Sequence, residues 1–211
     1  MCRKFILLFL VLGMVSTSYG MVIGNWETAS AEGWTVTGGA VFTPNVTPGH
    51  TLGDYAGSIT PASGSYLWDL VGATYNAGSL YTAADWLANN TLEFDVTRLT
   101  SEWTYSGSSQ YSRMHVAMTT DVVGKGQTTV GSNLVTWYGA NNNSMHVALN
   151  YTAFRTGAEA ATWVKIILGT QAANWTTMGN YYIDNVQLTP EPATICLLGL
   201  GALGLLRRRR T

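Results

Sequence analysis

Residues 91–97 read Thr-Leu-Glu-Phe-Asp-Val-Thr, and apolar and polar side chains alternate throughout this stretch. Successive side chains of a β-strand point to opposite faces, so the three apolar residues would share one face while Glu93 and Asp95 share the other. A strand with one apolar face buries that face against a second layer of structure. The stretch therefore predicts a half-buried strand in a layered β-protein.

The sequence on both sides of this stretch is also typical of β-strands. Thr, Val, Tyr and Trp are frequent, Gly and Asn interrupt the chain at short intervals, and no long pattern with a helical period occurs. Further strands are predicted at Trp34–Val36, Ala40–Thr43, Tyr66–Leu70, Tyr111–Thr119, Leu134–Tyr138, Ser144–Tyr151, Trp163–Leu168 and Tyr181–Leu188. One short helix is predicted at Ala83–Ala88. Short strands without crossover helices predict an all-β fold, an antiparallel β-sandwich.

Residues 1–20 have the pattern of a secretory signal peptide. Arg3 and Lys4 precede the apolar run Phe5–Val15, and small residues follow at Ser18 and Gly20. We predict cleavage after Gly20 and passage through the Sec export machinery.

The other end of the chain, residues 190–211, has three distinct parts. It begins with Pro190, Glu191 and Pro192, continues with the uncharged apolar run 193–206, and then carries Arg207, Arg208, Arg209 and Arg210. The two prolines lack a backbone donor and fix φ, so neither a helix nor a sheet continues through them, and the segment suits recognition or cleavage. As a helix the apolar run would be about 21 Å long, short of a hydrocarbon core of about 30 Å. The arginines would stay on the cytoplasmic side of a membrane.

This order of parts resembles the PEP-CTERM sorting tail of Gram-negative bacteria. The resemblance implies attachment to the membrane through an apolar helix and cutting by an exosortase-type membrane transpeptidase. It also implies export to the cell envelope, the outer surface or an exopolysaccharide matrix. A plain tail anchor and a disordered basic end remain alternatives.

Residues 21–189 form the remaining segment, which is long enough for one domain with a full core. Five basic and eleven acidic residues give this segment a net charge of −6. An acidic surface argues against a nucleic-acid partner, which needs a basic face. Cys2 and Cys196 lie in the two terminal segments, so the domain has no disulfide or thiolate metal site.

The segments Ile23–Glu27 and Glu32–Val36 open this domain, and the segment Tyr181–Leu188 closes it. In these segments the domain resembles galactose-binding-like jelly rolls, the fold of many carbohydrate-binding modules. The resemblance implies a jelly roll and a structural Ca²⁺ ion held by Glu27 and Asp184, since a hard cation takes oxygen ligands. The alternative is that Asp184 turns the last strand and Glu27 is merely exposed.

Aromatic residues in two predicted loops are candidates for binding polysaccharide. Sugar rings stack on aromatic planes flanked by amides and carboxylates, and loops at the end of a rigid sandwich are common binding sites. The candidates are Trp103, Tyr105, Tyr111, Trp137, Tyr138 and Asn141. The alternative is that such aromatics fill a core without cysteine, as Trp26, Trp34, Trp68, Trp163 and Trp175 are expected to do.

The sequence supports catalysis less well than it supports sugar binding. Glu93 and Asp95 resemble part of the Glu-x-Asp motif of retaining glycosidases on a related jelly roll, but Thr97 and Arg98 occupy the place of the second glutamate. We therefore assign no catalytic residue. Two similar strands place His115 and His146 at equivalent positions, where they would form an incomplete metal pair if the strands were neighbours.

The sequence thus predicts an exported, non-catalytic protein of the envelope or matrix that could bind polysaccharide. A hydrolase or lyase acting on polysaccharide, with Glu93 and Asp95 in its site, is one alternative. A purely structural matrix protein is the other.

Overall fold

The computed structural model describes residues 20–37, 40–61, 69–74, 81–105, 111–137, 143–173 and 175–190. These residues form β1 Met21–Gly24, β2 Trp34–Thr37, β3 Val41–Val46, β4 Ala56–Thr60, β5 Asp69–Thr74, α1 Ala83–Ala88, β6 Thr91–Arg98, a 3₁₀ turn Thr100–Glu102, β7 Thr104–Tyr105, β8 Tyr111–Thr120, β9 Thr128–Trp137, β10 Asn143–Asn150, α2 Thr152–Arg155, β11 Val164–Ala173, β12 Trp175–Thr177 and β13 Tyr181–Thr189.

The strands assemble into two antiparallel sheets and one small ribbon. Sheet 1 has the order β10-β6-β13-β4-β3, with β1 beside the second half of β13. Sheet 2 has the order β2-β5-β11-β8-β9, and β7 pairs with β12 in the ribbon. The predicted antiparallel β-sandwich of the jelly-roll kind is confirmed.

The core lies between the two sheets and follows the alternation seen in the sequence. Leu92, Phe94 and Val96 of β6 are all fully buried, whereas Glu93 and Asp95 lie on the outer face of sheet 1. The facing strands β8 and β11 contribute their own buried apolar rows from sheet 2. Burial stabilises by roughly 25 cal/mol per Å² of buried apolar surface. A strand turned over would expose these apolar side chains, so the alternation also fixes which face of β6 points to the core.

Tryptophans complete the core at two places. Trp26 packs edge-to-face against Trp34 at 5.7 Å, and the Trp34 indole donates to the Ile23 carbonyl at 2.9 Å. Trp86 of α1 is fully buried and stacks on Tyr151 at 5.4 Å. The predicted burial of Trp26 and Trp34 is confirmed, Trp163 is half-buried, and Trp68 lies outside the described residues.

One end of the sandwich gathers the end of β13 and several connections, and we call it the tail end. The Asn90 amide donates to the Thr189 carbonyl at 3.1 Å, and the Tyr151 amide donates to the Asn90 carbonyl at 2.8 Å. Lys125 lies in the turn between β8 and β9, and its Nζ donates to the Phe154 carbonyl at 3.0 Å. The turn between β8 and β9 is thereby joined to the same end as Thr189.

Most predicted elements appear with shifted ends. Helix α1 spans Ala83–Ala88 as predicted, because Thr82 and Asp85 form a reciprocal capping box. Strands β9 and β11 are longer than predicted, and β1 and β4 were not predicted. The prediction at Tyr66–Leu70 falls mostly outside the described residues, and β5 begins only at Asp69.

The predicted signal peptide and nearly all of the predicted sorting tail lie outside the described residues. Within the part of the chain that the structure describes, no helix is both long and apolar enough to cross a membrane.

Candidate functional site

Backbone pairing brings three of the predicted sugar-binding residues to the end of sheet 2 that lies away from the tail end. Tyr111 pairs with Ala173, and Trp137 pairs with Ser112, the residue after Tyr111. Tyr105 pairs with Trp175 in the ribbon, two positions beyond Ala173. We call the positions Tyr105, Tyr111, Trp137 and Trp175 the aromatic end of sheet 2. Tyr138 and Asn141 lie outside the described residues.

Trp103 occupies a different environment from these positions. Its side chain is only 6% exposed, and its ring packs edge-to-face against Tyr181 at 5.3 Å. The guanidinium carbon of the fully buried Arg98 lies 5.3 Å from the Trp103 ring centroid. Trp103 therefore packs in the core, and its burial argues against the predicted role as an exposed stacking platform.

Glu102 holds the segment that carries Trp103 and Tyr105 against the closing strand. Its carboxylate accepts a short hydrogen bond from the Tyr182 hydroxyl and another from the Asn180 amide at 3.1 Å. Burial and the bond to Glu102 raise the pKa of Tyr182 to about 12, so this hydroxyl remains a donor at neutral pH. No sequence signal had singled out this pair.

Polar residues follow the aromatic end along the middle strands of sheet 2. Arg113 pairs with Gln171, and His115 pairs with Gly169. His115 is only 4% exposed, and burial, followed by the Arg113 charge, lowers its pKa to about 4. The imidazole is therefore neutral at physiological pH and offers one donor and one acceptor. The sequence showed these side chains but not the register that aligns them.

Sheet 1 carries a separate polar network on its outer face. His146 Nδ1 lies 2.7 Å from Asp95 Oδ1, and its Nε2 lies 3.7 Å from Glu93 Oε2. Thr189 donates to Glu93 at 2.8 Å, and Thr51 donates to Asp95 at 2.7 Å. Glu93 and Asp95 are thus outward residues of a strand, as the sequence indicated, and they lie on the sheet opposite the aromatic end.

The suggested pairing of His115 with His146 is wrong. His115 belongs to β8 in sheet 2, whereas His146 belongs to β10 in sheet 1. The two strands look alike because each alternates apolar and polar residues, and alternation does not reveal which strand is the neighbour.

Glu27 and Asp184 hold the two ends of the loop 51–55. Asp184 is fully buried, and its Oδ2 accepts from the backbone amides of Thr51 and Leu52 at 2.7 and 2.8 Å. Glu27 Oε1 accepts from the amides of Asp54 and Tyr55 at 3.1 and 3.2 Å. The two carboxylates therefore lie at one loop, as predicted, although they are far apart in sequence.

Several hydrogen-bond donors point at these carboxylates. Asp184 Oδ2 also accepts from the Thr51 hydroxyl at 3.1 Å, and its Oδ1 accepts from the Asn185 amide at 2.6 Å. A calcium ion needs six to eight oxygen ligands with free lone pairs, and N–H groups would point at it here. Among the described residues, no group of three or more His, Cys, Asp or Glu side chains is arranged to hold a metal. The described conformation thus does not fit Ca²⁺ between these side chains, and calcium remains a prediction of the resemblance.

The last residues of β13 lead directly into the tail. Residues 188–210 match the family described as the PEP-CTERM protein-sorting motif. The chain carries a PEP-CTERM sorting motif. Leu188 and Thr189 belong both to the motif and to β13, so no linker separates the PEP-CTERM segment from the folded domain.

Solved structures similar to this chain include carbohydrate-binding modules. CBM28, a module specific for non-crystalline cellulose, is 11% identical with a TM-score of 0.52, and the match covers 82% of this chain and 96% of that one. The C-terminal family 22 module of Clostridium thermocellum Xyn10B is 15% identical with a TM-score of 0.49, covering 82% and 92%. No curated protein sequence matches the chain. The likeness to CBM28 establishes a shared β-sandwich fold.

Proposed function

We propose that the protein is an exported module that binds polysaccharide without cleaving it. One observation carries the proposal: a sandwich with the fold of a cellulose-specific binding module continues without a linker into a PEP-CTERM motif. The fold supports binding, and the motif supports export and processing at a membrane. The exosortase-type transpeptidase and the cell envelope of a Gram-negative-type bacterium belong to the same proposal.

The aromatic end of sheet 2 is the proposed contact region for sugar. Three separate elements bring Tyr105, Tyr111 and Trp137 to this end of the fold, and a rigid sheet holds their backbones. Aromatic faces bind the C–H faces of sugar rings, and the nearby polar positions Arg113 and Gln171 supply hydrogen-bonding groups. Tyr138 and Asn141 remain proposed contacts from the loop that follows β9.

The test is a binding screen with the domain Met21–Thr189, which contains every strand and helix that the structure describes. It should be retained on at least one polysaccharide in a panel of glycans. The variants Tyr111→Ala and Trp137→Ala should weaken that binding about 10-fold or more, because each truncation removes a stacking face worth about 1–3 kcal/mol.

Trp163→Ala is the matched control for these truncations. Trp163 is half-buried and precedes β11 at the opposite end of sheet 2, so its loss should leave glycan affinity unchanged. Absence of binding to every glycan by the folded domain would refute the proposal and favour a structural matrix protein. Release of reducing ends that is lost in Glu93→Gln would show a polysaccharide hydrolase instead.

A further inference from the structure

We infer that the tail end of the sandwich rests on the lipid surface while the sorting tail is in the membrane, with Val123 entering the interface. The inference rests on the proposed residence of the apolar run 193–206 in a membrane. The sorting motif by itself says nothing about which surface of the folded domain faces the lipid.

The tether between the domain and the apolar run is very short. Thr189 is the last residue of β13, and only Pro190, Glu191 and Pro192 separate it from Ala193. Even a fully extended chain spans at most about 3.6 Å per residue, so Thr189 lies within about 14 Å of Ala193. An apolar run inserted in a bilayer therefore holds the end of β13 at the membrane surface.

The end of β13 cannot easily supply more chain. Leu188 is fully buried, and its strand position is flanked by Leu92 of β6 and Met21 of β1. The Thr189 carbonyl accepts from the Asn90 amide at 3.1 Å, and its hydroxyl donates to Glu93 at 2.8 Å. Lengthening the tether would require breaking core contacts and hydrogen bonds, so the strand end orients the domain.

The first strand leaves the domain at the same place. Met21 pairs with Leu188, and β1 follows directly after the predicted signal peptide. Both apolar terminal segments of the unprocessed chain therefore emerge from the tail end. Two attachments at the same end restrict rotation of the domain relative to the membrane more strongly than one attachment does.

The tail end also presents an exposed apolar side chain. Val123 is 99% exposed in the turn between β8 and β9, and the neighbouring Lys125 ties this turn to Phe154. The contacts from Phe154 through Tyr151 and Asn90 lead to Thr189. A fully exposed valine is unfavourable in water and gains free energy when it enters the acyl boundary.

Charge at the tail end favours apolar contact over attraction to anionic lipid. The basic residues there do not outnumber the acidic ones, since Asp85, Asp121 and Glu159 balance Lys125, Arg155 and Lys165. Anionic headgroups attract clusters of Lys and Arg, and this surface has none. The contact should therefore form on zwitterionic phosphatidylcholine.

The experiment measures how close Val123 comes to lipid in the full chain. The two natural cysteines are replaced by Cys2→Ser and Cys196→Ala, and Val123→Cys is labelled with an environment-sensitive bimane. The protein is reconstituted into phosphatidylcholine vesicles that contain a nitroxide-labelled phospholipid. Emission should shift to the blue and be quenched at least about 2-fold.

Val41→Cys provides the matched control. Val41 is 59% exposed and begins β3, opposite Thr60, at the end away from the tail. The same label at this position should be neither shifted nor quenched. Equal quenching at both positions, or none at Val123 in chains that float with the vesicles, would overturn the inference while leaving membrane insertion of the tail intact.

Two further results complete the test. Chains that fail to float with the vesicles refute membrane residence, and with it this inference. A flexible insert of about ten Gly and Ser residues between Thr189 and Pro190 adds a mean reach of about 17 Å. This insert should reduce quenching at Val123 without changing flotation, and unchanged quenching would show that the short tether does not set the orientation.

Discussion

Lowering the pH should destabilise the domain through His115, a buried histidine in the middle of sheet 2. The unfolded chain protonates this imidazole below about pH 6.5, whereas burial and the Arg113 charge delay protonation of the folded chain until about pH 4. Between these values the unfolded state binds more protons, so the free energy of unfolding falls as the pH falls. The loss is complete only below the folded-state pKa.

The magnitude follows from the difference between the two pKa values. Since one pKa unit corresponds to about 1.4 kcal/mol, the full effect is about 3 kcal/mol. Near pH 4.5 most of it, about 2.5 kcal/mol, is already lost, while near pH 7.5 almost none is. A loss of that size is a large part of the stability of an ordinary domain, which is about 5–15 kcal/mol.

Urea unfolding of Met21–Thr189 near pH 7.5 and pH 4.5 measures this effect, with His115→Gln as the reference variant. Carboxylates also titrate in this range, so the informative quantity is the difference in pH dependence between the two proteins. His115→Gln should lose about 2.5 kcal/mol less than the parent on acidification. Equal losses, or a His115 proton resonance that titrates near pH 6.5, would refute the reasoning.

Four further predictions concern stability and ions. Asp184→Asn should lower the free energy of unfolding by about 2–3 kcal/mol in urea titrations, because a buried carboxylate that accepts several hydrogen bonds loses its charge. Glu27 is only half-buried, so Glu27→Gln should lower the free energy of unfolding by less. Millimolar calcium should leave the melting temperature unchanged if the loop is held by hydrogen bonds alone, and a clear rise that a chelator reverses would establish the calcium site. Trp86→Ala should cost about 3–5 kcal/mol in the same titrations, because the fully buried ring stacks on Tyr151, whereas Trp86→Phe should cost less. Thr82→Ala should lower stability by about 1 kcal/mol through loss of the capping box, seen as a lower melting temperature.

Local sequence patterns predicted much of the fold because their physical causes are local. The alternation around Phe94 sorts side chains onto two faces, and the capping box at Thr82 starts α1. Strand β4 escaped prediction for an equally physical reason. The side chains of Ala56, Ser58 and Ile59 are all buried, so this strand shows no alternation of polar and apolar residues.

The candidate site depends on register, which the sequence does not display. Trp137 lies opposite Ser112, next to Tyr111 in the chain, only because β8 pairs with β9 in one of several possible alignments. In the sequence Trp103 is one of several aromatic residues of a predicted loop, yet its ring is buried beside Tyr181. The contact between Thr51 and Asp184 spans 133 residues, and no sequence pattern pointed to it.

The most direct test of the polysaccharide-binding proposal is calorimetric titration of Met21–Thr189 with the best glycan from the screen. The parent domain and Trp163→Ala should bind with the same affinity, while Tyr111→Ala and Trp137→Ala should each bind about 10-fold more weakly with the fold intact. If all four proteins bind equally, the aromatic end of sheet 2 is not the binding site. If none of them binds, the module does not bind that polysaccharide and the central claim is wrong.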